Sequence, residues 1–202
     1  MRLFLSSTMA AACLAATACA APAPQPRTSE AVPLFPGMTL SGQELTVEGG
    51  EVLMDWNDTI PFVSGTKRTY TVASTPEEVH NFYIGKLGGK IGYSSEDGHE
   101  NVKPGGSTPV ILSLHEYEFD NRMSLDNRQL LGATKRATLA QARKPLADGK
   151  WVQESQFQWI IRDAKGDLRS FNVSFHDEGL AKNWAAYAPR TVVEITVNQF
   201  KH

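Results

Sequence analysis

The chain has 202 residues, 41% of them hydrophobic and 21% charged, with 16 glycines and 11 prolines. This composition excludes collagen-like, coiled-coil and broadly disordered chains, and the length suits one domain, or two small ones, around a hydrophobic core. The formal net charge is −2 and Lys and Arg are spread along the chain, which marks neither a nucleic-acid partner nor an acidic mimic.

Met1-Arg2 is a short positive start, followed by Leu3-Phe4-Leu5 and the apolar, Ala-rich run from Met9 to Ala18. Small residues, prolines and polar residues come next. This order predicts a secretory signal peptide over residues 1–18. The apolar run is shorter than the roughly 20 residues of a membrane span. Two cleavage sites fit. Ala18-Cys19-Ala20 has the small-x-small pattern, with release after Ala20. Alternatively, Leu14-Ala15-Ala16-Thr17-Ala18-Cys19 resembles the lipobox of bacterial lipoproteins, with Ala16 at the place where Leu is usual. The resemblance implies cleavage between Ala18 and Cys19 and lipidation of Cys19. The chain's two cysteines are Cys13 and Cys19, so nothing after Cys19 carries a thiol. That pattern suits a chain exported to an oxidising compartment whose one remaining cysteine carries lipid. Several acyl chains at one site give stable anchoring.

Residues 19–33 form a Pro- and Ala-rich tether in this reading. Alternating prolines favour an extended polyproline spacer. At ~3.1 Å per residue it would hold a domain about 40 Å from a bilayer.

Residues 34–202 read as one α+β domain, an antiparallel or mixed sheet with a few helices packed mainly on one face. Residues 51–62 predict two short strands, or one strand and a loop, around the Asn57-Asp58 turn signal. Arg68–Ala73 alternates as a strand. Thr75-Pro76-Glu77-Glu78 combines an N-cap, a proline at the first helical position and a capping-box glutamate. Val79, Phe82, Tyr83 and Leu87 follow at helical spacing, and Gly88-Gly89 ends the helix, predicted over 76–87. His80 falls off that apolar stripe and is expected to be exposed. An extended pattern resumes over Lys90–Ser94. This strand–helix–strand run resembles a module of many bacterial secreted proteins and lipoproteins of uncharacterised role. The resemblance rests on capping and packing residues and implies no activity.

Residues 95–108 read as a polar loop, and Val110–Phe119 as a strand. Ser124–Leu131 and Thr134–Arg143 have helix-forming composition. Trp151–Arg162 places Trp151, Phe157, Trp159 and Ile161 on one face. A hairpin turn at 163–167 leads to Leu168–His176, with Phe171, Val173 and Phe175 on one face and Ser170, Asn172 and Ser174 on the other. Leu180, Trp184 and Tyr187 are spaced for a short helix. Thr191–Phe200 is a final strand with Val193, Ile195 and Val197 on one face.

No GxSxG elbow, HExxH or Walker-type loop is present. Lys103-Pro104-Gly105-Gly106 has its lysine ahead of the glycines and no helix after them, so it reads as a loop. In His115-Glu116-Tyr117-Glu118, strand alternation sets the histidine and the glutamates on opposite faces. His176-Asp177-Glu178 sits at a strand end, with Asp177 a candidate helix N-cap. Trp56, Trp151, Trp159 and Trp184 read as core rather than as a ligand platform. The sequons at Asn57 and Asn172 are incidental in a bacterial host.

No catalytic residue, metal ligand or cofactor is therefore expected. The leading reading is a non-enzymatic cell-envelope lipoprotein, held to a membrane by the N-terminal lipid, facing the periplasm or exterior and binding an envelope protein or assembly. The alternatives are a soluble secreted protein, a small-ligand or lipid-binding module, and a hydrolase using carboxylates or His176.

Overall fold

The alternation of apolar and polar residues through the C-terminal third sets the architecture. A computed structural model describes residues 32–49, 51–55, 58–91, 110–116, 133–162, 165–179 and 187–201. In chain order the strands are β1 (Thr39–Leu40), β2 (Leu45–Glu48), β3 (Glu51–Asp55) and β4 (Asp58–Val72). Helix α1 (Pro76–Leu87), β5 (Lys90–Ile91), β6 (Val110–Glu116) and helix α2 (Ala133–Ala142) follow. The chain closes with β7 (Val152–Arg162), β8 (Leu168–Asp177) and β9 (Thr191–Phe200). The result is sheet-rich, with two helices among the described residues.

The strand order is β1-β4-β9-β8-β7-β6-β5, with β2 and β3 also paired to β4. Every pairing is antiparallel except β5 with β6. Register follows from the pleat. Phe157 lies opposite Val173, which lies opposite Ile195; Ser155 lies opposite Phe175, which lies opposite Val193 and then Tyr70. These rows put the predicted apolar positions on one face, where Phe157, Phe171, Val173, Phe175, Val193 and Ile195 are buried. Trp159 stacks on its cross-strand neighbour Phe171, with centroids 5.1 Å apart and planes 4° from parallel. Trp151 and Trp159 are buried, as expected; Trp56 and Trp184 lie outside the described residues.

The 76–87 helix has the predicted bounds. Thr75 Oγ1 accepts the Glu78 N–H at 3.3 Å and Glu78 Oε2 accepts the Thr75 N–H at 2.9 Å, closing the capping box. Gly88, at φ 69°, stops the helix, and its N–H donates to Ile84 O at 2.9 Å. α1 rests on β7 and β8. Its buried stripe is Pro76, Val79, His80, Tyr83 and Leu87, with Glu77 also buried. Phe82 is only partly buried and packs edge-on against Phe35, 5.2 Å away.

Thr191 Oγ1 donates to Ser74 O at 2.7 Å, tying the start of β9 to the turn before α1. Val32, on the tether side of the sequence boundary, is 2% exposed and belongs to the core. By alternation, Ile160, Leu168 and Phe200 lie on the opposite face, where they are also buried; Phe62 packs on Phe200 at 5.8 Å. Gly65 lies beneath this contact: a Cβ there would come within 2.5 Å of Asn198 Oδ1 and 2.9 Å of the Phe62 ring.

The two-strand reading of 51–62 holds as the β3–β4 pair, although β4 runs on unbroken to Val72. The helix predicted over 134–143 is α2. The helices read at 124–131 and 180–187 fall wholly or mostly outside the described residues; Tyr187, which is described, is not helical.

Candidate functional site

The most concentrated chemistry lies where α1, α2, β7 and β8 meet. Arg143 follows α2 directly, and its N–H donates to Leu139 O at 2.8 Å, continuing the helical pattern by one residue. The spacing from Leu139, fully buried, carries the Arg143 side chain into the interior, where it is 0% exposed. There it meets Glu77, in the first turn of α1, where the helix dipole favours a carboxylate.

The guanidinium fork is bidentate on Glu77. Nε donates to Oε2 at 2.9 Å and Nη2 to Oε1. Nη2 also donates to Val152 O at 2.7 Å, and Nη1 to Asp177 Oδ2 at 2.6 Å. Glu77 Oε1 accepts the Val152 N–H at 2.8 Å, and Asp177 Oδ1 accepts the Gly179 N–H at 2.9 Å. The Tyr187 ring caps the guanidinium, 5.7 Å from its centroid. Burial acts to lower the Arg143 pKa, but hydrogen bonding to Glu77 and the charges of Glu77, Tyr187 and Asp177 leave it above its ordinary value. Burial, reinforced by Asp177 and Glu77 and opposed by Arg143, pushes the Tyr187 phenol upward.

Both acids and the arginine are 0–2% exposed. A substrate has no approach to them. The cluster is a lock that joins four elements, and its polar atoms are consumed by one another and by the backbone of Val152 and Gly179.

Beside it lies His80. Contrary to the sequence expectation it is buried, 6% exposed, with Nδ1 and Ser155 Oγ sharing a hydrogen bond at 3.3 Å. Its ring lies 5.4 Å from that of Phe157 and 6.4 Å from that of Phe175. The reason is rotational: α1 turns Glu77 and His80 toward the sheet and leaves Phe82 at the margin, because both polar groups find partners there. Burial lowers the His80 pKa, an effect partly offset by the charge of Asp148. Tyr83, next on the stripe, is 0% exposed, and its hydroxyl has no hydrogen-bond partner among the described residues. Burial, with the nearby Tyr70, raises its pKa.

The other sequence candidates do not converge. His176 is exposed, while Asp177 points to the opposite face and into the Arg143 cluster. Asp177 Oδ1 accepts the N–H of Gly179, two residues on, as in an Asx turn; Gly179 is helical, and residues 180–186 lie outside the described residues. His115 and Glu116 lie on β6, where a register irregularity falls between them. Glu118, the 103–108 loop, Ala18 and Cys19 lie outside the described residues. Among the described residues no group of three or more His, Cys, Asp or Glu is placed to hold a metal ion.

A cavity of about 40 Å³ lies between Val32, Leu34, Tyr70, Ile195 and Val197, with Arg68 at its wall. It has room for ordered water, against the several hundred Å³ usual for a small-molecule site.

No protein-family model, no curated protein and no solved structure matches the chain.

Local sequence does not reveal the lock, because its members are distant along the chain: Glu77 and Arg143 are 66 residues apart. Two local signals were present. Glu77 sits in the first turn of a docked helix, and Arg143 follows Leu139 by one turn.

Proposed function

We propose that the chain is a non-enzymatic lipoprotein of the bacterial cell envelope. It is anchored through lipid on Cys19, spaced by the residues between Cys19 and Val32, which already packs in the core, and carries an α+β domain with its helices mainly on one face. That domain binds an envelope protein or assembly. The observation that carries this reading is the segment Leu14–Cys19 followed by a chain with no further cysteine. The structural feature in support is the occlusion of the buried charges of Glu77, Arg143 and Asp177.

The test is the intact mass of protein purified from its native envelope. A chain beginning at Cys19 with a lipid-sized increment supports the anchor. A chain beginning at Ala21, unmodified, overturns it. Cys19→Ser is expected to move the protein from the membrane to the soluble fraction.

A further inference from the structure

Strand β2 is an unguarded margin. Among the described residues it pairs with β4 alone. The Gly49 N–H donates to Val63 O at 3.1 Å, so Gly49, Val47 and Leu45 turn their backbone groups inward to β4. The alternation of an antiparallel ladder then turns N–H and C=O of Thr46 and Glu48 outward. The opposite edge strand, β5, is two residues long and opens on the exposed Lys90, a common form of edge protection.

The side chains of β2 sharpen the contrast. Leu45 and Val47 are each 59% exposed, and Val63 is 38% exposed. Their partners Lys67 and Gly65 place Leu45 and Val47 on the same face, and Gly65 adds no side chain to cover Val47. The other face of this segment alternates Glu44, Thr46 and Glu48. Glu44 is bonded to Arg68, and Glu48 is exposed.

We propose that the β2 edge receives an extended segment of a partner protein as an added strand. Outward N–H and C=O groups select a β-strand, because only another extended backbone answers them at strand spacing. Leu45 and Val47 select two aliphatic side chains in alternate positions. Glu48 selects Lys or Arg beside them, Glu44 being held by Arg68. A second copy of this chain answers that selection less well: antiparallel self-pairing sets Glu48 opposite Glu44 of its twin when centred on Thr46, or opposite Thr46 when centred on Val47, and opposite a cation in neither. The inference rests on the partner-binding reading above and gives it a surface.

The experiment titrates the full chain with the peptide Thr-Lys-Val-Thr-Val-Lys-Thr and with a scrambled control, reading amide hydrogen exchange and affinity. The expected result is preferential binding of the patterned peptide, with exchange at Thr46 and Glu48 slowed at least tenfold. Val47→Lys, at an exposed site, is expected to weaken binding at least tenfold while leaving thermal unfolding unchanged. Equal binding of both peptides, or unaltered exchange at Thr46 and Glu48, overturns the proposal. Concentration-dependent dimerisation abolished by Val47→Lys also overturns it, assigning the edge to a second copy. Failure of the peptide alongside a lipid-bearing Cys19 removes this surface and leaves the anchor standing; an unmodified mass from Ala21 alongside a binding peptide does the reverse.

Discussion

Glu77 holds Val152 by its backbone: Oε1 accepts the Val152 N–H at 2.8 Å, across 75 residues of sequence. Arg143 Nη2 takes the carbonyl of the same residue at 2.7 Å. Both polar groups of one backbone position at the start of β7 are thus answered by a single ion pair, so helix placement and strand placement are set together.

Removing the cation breaks this arrangement from within. Arg143→Ala leaves two carboxylates buried with no counter-charge, and unpairing a buried ion costs about 3–5 kcal/mol. Urea unfolding should show a loss of that order. Arg143→Lys should recover only part of it, since an ammonium has no planar fork to match Glu77. A loss below about 1 kcal/mol for Arg143→Ala would contradict the lock.

His80 predicts how stability depends on pH. Its folded pKa lies below the ordinary 6.5, because burial disfavours the imidazolium. Between the two values the unfolded chain binds more protons than the folded one. Stability from this group is therefore complete above pH 6.5 and is lost as pH falls through the window beneath it. The slope there is at most about 1.4 kcal/mol per pH unit. Urea midpoints between pH 5 and 8 should show it, and His80→Gln should flatten it. Asp148→Asn should steepen it, by removing the charge that favours protonation.

Tyr83 carries a hydroxyl into the core without a partner among the described residues. A buried polar group left unsatisfied costs about 1–3 kcal/mol. Tyr83→Phe keeps the ring contacts with Phe157 and Phe175 and removes that cost, so thermal unfolding should shift upward. A clear drop in stability would mean that the hydroxyl is satisfied.

Gly65 is required by its neighbours, not by its backbone angles. Gly65→Ala drives a methyl into Asn198 and the Phe62 ring, and overpacking of this kind costs about 1–3 kcal/mol. Adding Asn198→Ala relieves the closer clash and should restore part of the loss, which a double-mutant cycle will measure.

The parts of the fold that were legible are those where one chain segment decides its own state. Thr75–Gly88 carries cap, stripe and stop within fourteen residues, and the helix has those bounds. Phe157, Val173 and Ile195 each sit in an alternating run, and the pleat alone assigns them to one face. Glu77, His80 and Arg143 were illegible for the complementary reason. Each is polar at a position that faces inward, and what makes it tolerable there lies on another element. Periodicity reports where apolar residues go and misplaces a buried polar residue whose partner is far along the chain.

The pairing of β4 with β9 governs when the protein can fold. Thr69 lies beside Glu194, 125 residues later, and this seam joins β4, with β1, β2 and β3 paired to it, to the rest of the sheet. During synthesis from the N-terminus, β4 has no central neighbour until the last strand has been made. So high a contact order implies slow, late closure with little stable structure in the nascent chain. For a protein proposed to be exported, that delay keeps it threadable: the strand that completes the sheet is the last to cross.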